Sequence, residues 1–302
     1  KLPFEVNVEI IEPNKISQQL AIKRLNEITY NKKKFNIIWH KDYENLDLSS
    51  DLVIVATTSI NRINIISDLL KQGNKKFLIE KIVCQSILEY DLLIKKLKKF
   101  DAVGWVNTNM RYFDSYKKIK NYFKNSKTID ISLTTSGHLG LGTNAIHYLD
   151  FFSWFVNDYN ITLEGSFLTN KLFSNKRSKS LIEFAGLLSG SIVNGSTVSL
   201  NFIPNSKLPL IVNIYGNNNK HLLINETNEK VVNLIDEKTS FNFNYEHTSD
   251  LTTKIVFDII KKNKCDLSTI ENSYYLHKEL FRVLCKHIEK LTHKRTKICP
   301  IT

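Results

Sequence analysis

The chain has 302 residues, of which 42% are hydrophobic and 11% aromatic, and it carries a net charge of +12. A chain of this length can bury a large core, and the length favours two domains over one. The apolar runs at residues 52–56 and 151–156 are far shorter than the roughly 20 residues that span a bilayer, so we expect no membrane partner.

The lysine residues cluster on the surfaces and ends of predicted helices. The clusters fall at residues 32–34, 95–99, 261–264 and 286–297. No interleaved aromatic residues, zinc-ligand spacing or recognition-helix pattern accompanies them, so the charge favours a solvated surface over a nucleic-acid interface. A weaker functional role remains open, in which the positive field attracts phosphorylated or carboxylated substrates.

The cysteines indicate the cellular compartment. They form neither a C-x-x-C pair nor a metal-ligand spacing, and they lie at Cys84, Cys265, Cys285 and Cys299. This pattern predicts reduced thiols in a cytoplasmic protein and no bound metal.

The first third of the chain alternates predicted strands and helices. Strands are predicted at residues 6–11, 35–39, 51–57, 76–80 and 102–106. Helices are predicted at residues 15–27, 60–70 and 86–99, and Ser86 with Glu89 forms a capping box for the last of these. A repeated strand–helix–strand order predicts a parallel sheet with helices on both sides.

The pattern changes near residue 109, where strand-like runs follow each other with few helices between them. After helices near residues 116–123 and around His147, the runs fall at residues 161–168, 181–188, 197–202, 208–215 and 221–224. Helices at residues 251–262 and 269–291 close the chain, the second with a capping box of Ser268 and Glu271. The predicted fold class is therefore α/β, with a Rossmann domain (doubly wound parallel sheet) at residues 1–108 and an α+β domain with a large, open, mostly antiparallel sheet at residues 109–302.

Two residues have side chains suited to hydride transfer. Lys81 follows a predicted parallel strand, at the edge where open α/β sheets bind ligands. His147 lies on a helical stretch, and an imidazole with an ordinary pKa of roughly 6.5 can accept a hydroxyl proton at neutral pH. Taken alone, each residue also fits a structural role, as a solvated strand-end lysine or a histidine hydrogen-bonded within a packed helix face.

The ordered set of motifs resembles the glucose-fructose oxidoreductase / inositol dehydrogenase / MocA family. The matching pieces are V-I-V-A-T-T at residues 53–58, Glu80-Lys81, N-M-R-Y-F at residues 109–113, and His147 with Asp150. The resemblance covers nearly the whole chain. It implies hydride transfer between NAD, or NADP, and a sugar, cyclitol or nucleotide-linked sugar.

The resemblance also implies roles for single residues. Lys81 would hydrogen-bond the reacting hydroxyl, and His147 would be the general acid/base. The implied cofactor contacts are Glu12, which would favour NAD over NADP, and Ala56, Thr57, Thr58, Glu80 and Asn109. The implied substrate contacts are Arg111, His138, Thr143 and Asn144.

The chain departs from the family pattern at three places. Thr143 stands where the family has an aspartate one helical turn before the histidine, which weakens the support of His147. Ile82 replaces the proline after Glu-Lys, so we expect a less constrained loop. No G-x-G-x-x-G turn precedes Glu12, so we expect that roughly 20 residues with the first strand are missing, and that dinucleotide binding is impaired if they do not exist.

The segment that leads into the His147 helix bears on the substrate. The run G-L-G-x-N-x-I-H-x-x-D at residues 140–150 resembles family members of bacterial surface-polysaccharide synthesis, which implies an acidic or acylamino sugar. A non-catalytic sugar or nucleotide-sugar-binding protein on the same fold is the first alternative, and a nucleic-acid-binding protein is the second. The resemblance also implies a homo-oligomer, a dimer or tetramer, assembled through the outer face of the large sheet.

Overall fold

The structure is a computed structural model that describes residues 2–27, 34–42, 49–137, 140–235 and 240–302. The chain forms two compact units, Lys1–Ser49 and Ser50–Thr302. The domain boundary expected near residue 108 stays a prediction. Within the described ranges, every helix is too short or too polar to cross a membrane.

The first unit is a strand–helix–strand motif. It consists of β1 (Val6–Ile11), α1 (Lys15–Asn26) and β2 (Phe35–His40), and the two strands pair in parallel. Helix α1 begins where the side chain of Asn14 accepts hydrogen bonds from the backbone amides of Ile16 and Ser17, at 2.9 and 3.1 Å. This side-chain cap satisfies amides that have no partner within the helix.

A three-stranded parallel sheet opens the second unit. Its strands are β3 (Val53–Val55), β4 (Lys76–Ile79) and β5 (Val103–Val106), in the order β3-β4-β5, and helices α2 (Arg62–Lys71) and α3 (Ile87–Lys99) connect them. The central strand β4 is buried because it packs on both faces. Parallel strands end at one edge of a sheet, so the residues after β3, β4 and β5 lie side by side.

A second, larger sheet has eight strands in the order β15-β14-β13-β12-β6-β11-β10-β7. The strands are β6 (Ile129–Ser136), β7 (Thr162–Leu168), β10 (Gly186–Ser191), β11 (Thr197–Ile203), β12 (Ile211–Gly216), β13 (Lys220–Asn225), β14 (Lys230–Asn233) and β15 (Ser240–Asn242). Strands β6 and β11 pair in parallel, and the other neighbours pair antiparallel. The fold-class prediction is confirmed.

The strand predicted at residues 181–188 is wrong as a single element. Strand β9 (Ile182–Glu183) pairs with β8 (Phe173–Ser174), while β10 belongs to the large sheet. Between them the carbonyl of Phe184 accepts a hydrogen bond from the amide of Leu141, and Gly186 has a φ of +103°. The chain therefore turns at this point, which glycine permits.

Five further helices complete the described part of the second unit. They are a 3₁₀-helix (Asn109–Tyr112), α4 (Asp114–Tyr122), α5 (Leu141–Val156), α6 (Thr248–Lys262) and α7 (Ile270–Thr292), of which the last four are α-helices. The capping box predicted from Ser268 and Glu271 is wrong. Thr269 caps α7 by accepting a hydrogen bond from the amide of Asn272 at 3.2 Å. Ser268 is not free to cap the helix, because its hydroxyl binds the carboxylate of Asp150.

Candidate functional site

The carboxyl edge of the parallel sheet carries polar groups at the end of each strand. Ala56, Thr57 and Thr58 follow β3 and are exposed to solvent. Glu80 and Lys81 follow β4. Asn107 follows β5, and its side-chain amide donates a hydrogen bond to the carboxylate of Glu80.

Lys81 connects this edge to the first turn of helix α5. Its Nζ donates a hydrogen bond of 3.1 Å to the carbonyl of Thr143, and the side chain is only 8% exposed. Burial and the positive charge of Arg177 lower the pKa of Lys81 to about 8, whereas the carboxylates of Glu80 and Glu183 act in the opposite direction. An amine with this pKa is mostly protonated at neutral pH and can still exchange its proton.

His147 lies one helical turn after Thr143 on α5. Its Nδ1 atom is buried and has no hydrogen-bond partner within the described part of the chain. Burial first, and then the positive charge of Lys81, lower the pKa of His147 to about 3. The imidazole is therefore neutral at pH 7 and is a much weaker base than an ordinary histidine.

Glu183 is a residue of this site that the sequence reasoning missed. Its carboxylate is 8% exposed and accepts hydrogen bonds from the amide and hydroxyl of Thr143 and, at 3.0 Å, from the side-chain amide of Asn175. Burial raises the pKa of Glu183 to about 7, although these hydrogen bonds and the charge of Lys81 act against it. The available signal was an acidic residue inside an apolar run predicted to be a strand.

Arg62 holds the ends of β3 and β4 together from helix α2. Its guanidinium donates to the carbonyls of Thr57, Glu80 and Ile82, and the residue is 1% exposed. Ile82 is itself fully buried, so the loop after Lys81 is closely packed. The replacement of the family proline by Ile82 had predicted a looser loop. In the sequence, Arg62 looks like an ordinary helix-surface residue.

Arg111 lies in an ion pair instead of at an open surface. Its Nε and Nη2 atoms each donate to the carboxylate of Asp150 at 2.7 Å, and Nη2 also donates to the hydroxyl of Ser268 at 2.9 Å. Both charged side chains are buried. We propose that Arg111 supports α5 structurally, because these contacts occupy the donors expected to reach substrate.

The other predicted residues are distributed as follows. Asn144 is on the first turn of α5, where its side-chain amide donates to the carbonyl of Gly140 at 3.1 Å. Asn109 is half-buried at the start of the 3₁₀-helix. Glu12 follows β1 in the first unit, where its carboxylate accepts a hydrogen bond from the amide of Asn14 at 2.8 Å. His138 lies outside the described residues.

The strand-end edge has polar groups that fit a dinucleotide. The side-chain oxygen of Asn107 is buried without a hydrogen-bond partner in the described ranges, so it can accept a bond from a bound group. Residues 56–58, after β3, are exposed to solvent at the same edge. Those same ranges contain no cluster of three or more His, Cys, Asp or Glu side chains that could hold a metal ion.

Comparison with solved structures shows the fold. An oxidoreductase from Agrobacterium radiobacter, in complex with NAD+, L-tartaric acid and magnesium, has a TM-score of 0.68 at 12% identity, covering 90% of this chain and 86% of that one. UDP-N-acetylglucosamine 3-dehydrogenase GnnA from Acidithiobacillus ferrooxidans has a TM-score of 0.67 at 10% identity, covering 93% and 97%. The transcriptional regulator Gal80p from Kluyveromyces lactis has a TM-score of 0.63 at 15% identity, covering 94% and 82%. No protein-family model and no curated protein matches the sequence.

Proposed function

We propose that this chain is an NAD(P)-dependent oxidoreductase that transfers hydride between nicotinamide and a hydroxyl-bearing carbon of a sugar, cyclitol or nucleotide-linked sugar. The observation that carries the proposal is the hydrogen bond from Lys81, at the end of β4, to Thr143, one turn before His147. The two expected reactive groups thus lie close enough for the charge of Lys81 to lower the pKa of His147. Two of the proteins with this fold, described by name as an oxidoreductase with NAD+ and a UDP-sugar dehydrogenase, support the same reaction type.

The cofactor would be held at the carboxyl edge of the parallel sheet. Residues 56–58 would line it, and Glu80 and Asn107 would contact its ribose or nicotinamide end. The carboxamide of the nicotinamide is a suitable donor for the unpartnered oxygen of Asn107. When bound, the nicotinamide supplies or accepts the hydride. Contacts of Asn109 with the cofactor, and of Glu12 with the adenosine ribose, remain part of the proposal.

Among the residues of the chain, Lys81 would make the main contribution to catalysis. Its ammonium can donate a hydrogen bond to the substrate oxygen and stabilise the negative charge that develops there. With a pKa of about 8, the same amine can exchange a proton with that oxygen at neutral pH. Neutral His147 would hydrogen-bond the substrate hydroxyl and orient it, with a smaller contribution as a base.

We also propose a substrate class, the residues that border the substrate, and an oligomer. An acidic or acylamino sugar of surface-polysaccharide synthesis would find a positive field from Lys81 and the nearby exposed Arg177. Thr143, Asn144 and His138 would border that substrate. A cytoplasmic dimer or tetramer would form through the large sheet, where the side chains of Phe167 and Tyr215 are 72% and 41% exposed.

A second candidate function is binding without catalysis. The weak basicity of His147 and the threonine at position 143 favour it, and a transcriptional regulator has the same fold. In that case the site beside Lys81 would bind a sugar or nucleotide sugar, with a dinucleotide bound as a structural ligand.

Turnover assays with NAD+ and NADP+ on a panel of sugars, inositols and UDP-N-acetylglucosamine test the enzyme proposal. We expect Lys81→Ala and His147→Ala each to lower turnover by roughly 10² or more, because each removes a contact to the reacting hydroxyl. Cofactor binding, measured by NADH fluorescence, should be nearly unchanged. Lys95→Ala and His247→Ala alter exposed residues and serve as controls.

Two results of these assays would contradict different parts of the proposal. Full turnover in both variants would overturn the residue assignments. Cofactor binding without turnover on the whole panel would support the binding protein instead.

A further inference from the structure

A buried carboxylate stands beside Thr143, where the resemblance leads one to expect an acidic side chain from α5 itself. It belongs to Glu183 of β9, a two-residue strand that follows the loop containing Asn175. Thr143 bonds to both charged groups, because its amide and hydroxyl donate to Glu183 while its carbonyl accepts from Lys81. One residue of α5 thus links the carboxylate to the ammonium.

The chain leaves space for this carboxylate at the start of α5. A Cβ atom at Gly140 would lie 2.5 Å from Cδ of Glu183, and a Cβ at Gly142 would lie 3.1 Å from its Oε2. The first of these distances is too short for any side chain, and the second would require the carboxylate to shift. The two glycines therefore admit Glu183 into the site.

The charged groups around Lys81 have opposing effects on its pKa. Glu80 and Glu183 raise it, whereas Arg177 and Arg62 lower it, and burial has the largest effect. Besides Lys81, the thiol of Cys299 also lies within electrostatic range of Glu183. Among these groups, Glu183 alone shares a hydrogen-bond partner with Lys81 through Thr143.

We propose that Glu183 is a positioning residue for Lys81. Its carboxylate holds Thr143 by two hydrogen bonds, and the carbonyl of Thr143 in turn directs the ammonium of Lys81. The carboxylate of Glu183 lies beside Thr143, the position at which the resemblance implies an aspartate on α5. The catalytic meaning of this inference rests on the proposed role of Lys81 in hydride transfer. The electrostatic part can be measured whether or not a substrate is known.

The pH dependence of Lys81 acylation by acetic anhydride, followed by mass spectrometry, tests the inference. Only the neutral amine reacts, so the midpoint of the reaction rate reports the pKa of Lys81. Glu183→Gln removes the charge but nearly keeps the shape, and it should lower the midpoint by about one pH unit, a tenfold change. Arg177→Gln should raise the midpoint, because it removes a positive charge near the amine.

A matched control separates the specific effect from a general change in net charge. Glu164→Gln alters an exposed carboxylate of β7 and should leave the midpoint unchanged. The double variant Thr143→Asp with Glu183→Gln returns a carboxylate to the site from α5, so it should restore much of the lost shift. A merely structural role of Glu183 would not give this recovery.

An unchanged midpoint in a folded Glu183→Gln protein would overturn the inference. If that variant does not fold, Glu183→Asp tests the inference instead. Its shorter side chain keeps the negative charge but places the carboxylate farther from Thr143. A lowered midpoint then supports the inference, and an unchanged midpoint contradicts it. Failure of the proposed function looks different, since the acylation midpoints would shift as expected while the wild-type protein turned over no substrate.

Discussion

At the scale of single residues, the pKa values of Lys81 and His147 both differ from those of an ordinary lysine and histidine. Burial and the neighbouring ammonium stabilise the neutral form of His147, while burial moves the pKa of Lys81 toward neutrality. The two pKa values are therefore moved away from those of the free amino acids, so that the lysine titrates closer to pH 7 than the histidine does. Titratable groups with perturbed pKa values are typical of functional sites.

The ionisation of His147 gives a direct prediction at this scale. In ¹H–¹⁵N spectra that report imidazole protonation, the resonances of His147 should stay those of a neutral ring from pH 8 down to pH 5. The reason is that its pKa, about 3, lies below this whole range.

The same group affects stability with a defined sign. Because the folded pKa of His147 lies below the unfolded value, the unfolded chain binds more protons between about pH 3 and pH 6.5. The contribution of His147 to the free energy of unfolding therefore falls as the pH falls through this window. A titration midpoint between pH 6 and 7 in the spectra would contradict the burial and charge assignment.

The sequence could predict some of these residues and not others. Lys81 and His147 stand in ordered motifs that are visible in one chain. Glu183 enters the site from a distant element, and its interactions with Thr143 depend on tertiary packing that no local pattern encodes. The threonine at position 143 indicated that a carboxylate was missing from α5, but not which element would supply one.

At the scale of elements, helix α5 is held in place by a buried ion pair. The carboxylate of Asp150 receives two hydrogen bonds of 2.7 Å from Arg111, and the side chains are 0% and 5% exposed. Removing one member of such a pair leaves the other charge buried without compensation. Since α5 carries both Thr143 and His147, the pair also stabilises the geometry of the site.

We therefore expect Asp150→Ala to lower the free energy of unfolding by about 3–5 kcal/mol. Urea denaturation followed by circular dichroism measures the change. Asp68→Ala is the matched control, because its ion pair with Lys71 is largely exposed and should contribute less than about 1 kcal/mol. A loss below about 1 kcal/mol in Asp150→Ala would show that the pair does not hold α5 in place.

Element boundaries were predictable where a local signal marks them. Ser86 accepts a hydrogen bond from the amide of Glu89 at 3.3 Å, as the predicted capping box requires. The break between β9 and β10 was not predictable, because the sequence pattern predicts one strand at residues 181–188 and the turn depends on a hydrogen bond from the amide of Leu141 to the carbonyl of Phe184. The short strands β14 and β15 were missed as well.

At the scale of the whole molecule, the alternation of strands and helices in the first third correctly predicted a parallel sheet, and the crowded strands that follow predicted a large antiparallel one. The strand order, with β6 and β11 parallel inside that sheet, could not be deduced. Pairing between strands so distant in the chain depends on the packing of the complete fold. Proteins of the same fold share only 10–15% of their residues with this chain. The fold therefore does not require particular residues at most positions.

The central claim is that the site beside Lys81 supports hydride transfer between a sugar carbon and nicotinamide. The most direct measurement uses UDP-N-acetylglucosamine and myo-inositol deuterated on their ring carbons, incubated with oxidised cofactor and the wild-type protein. We predict deuterium at C4 of the recovered nicotinamide with at least one of the two, and at least a tenfold smaller amount with Lys81→Ala. Recovery of cofactor without deuterium from both compounds, or equal deuterium in the Lys81→Ala reaction, would contradict the account.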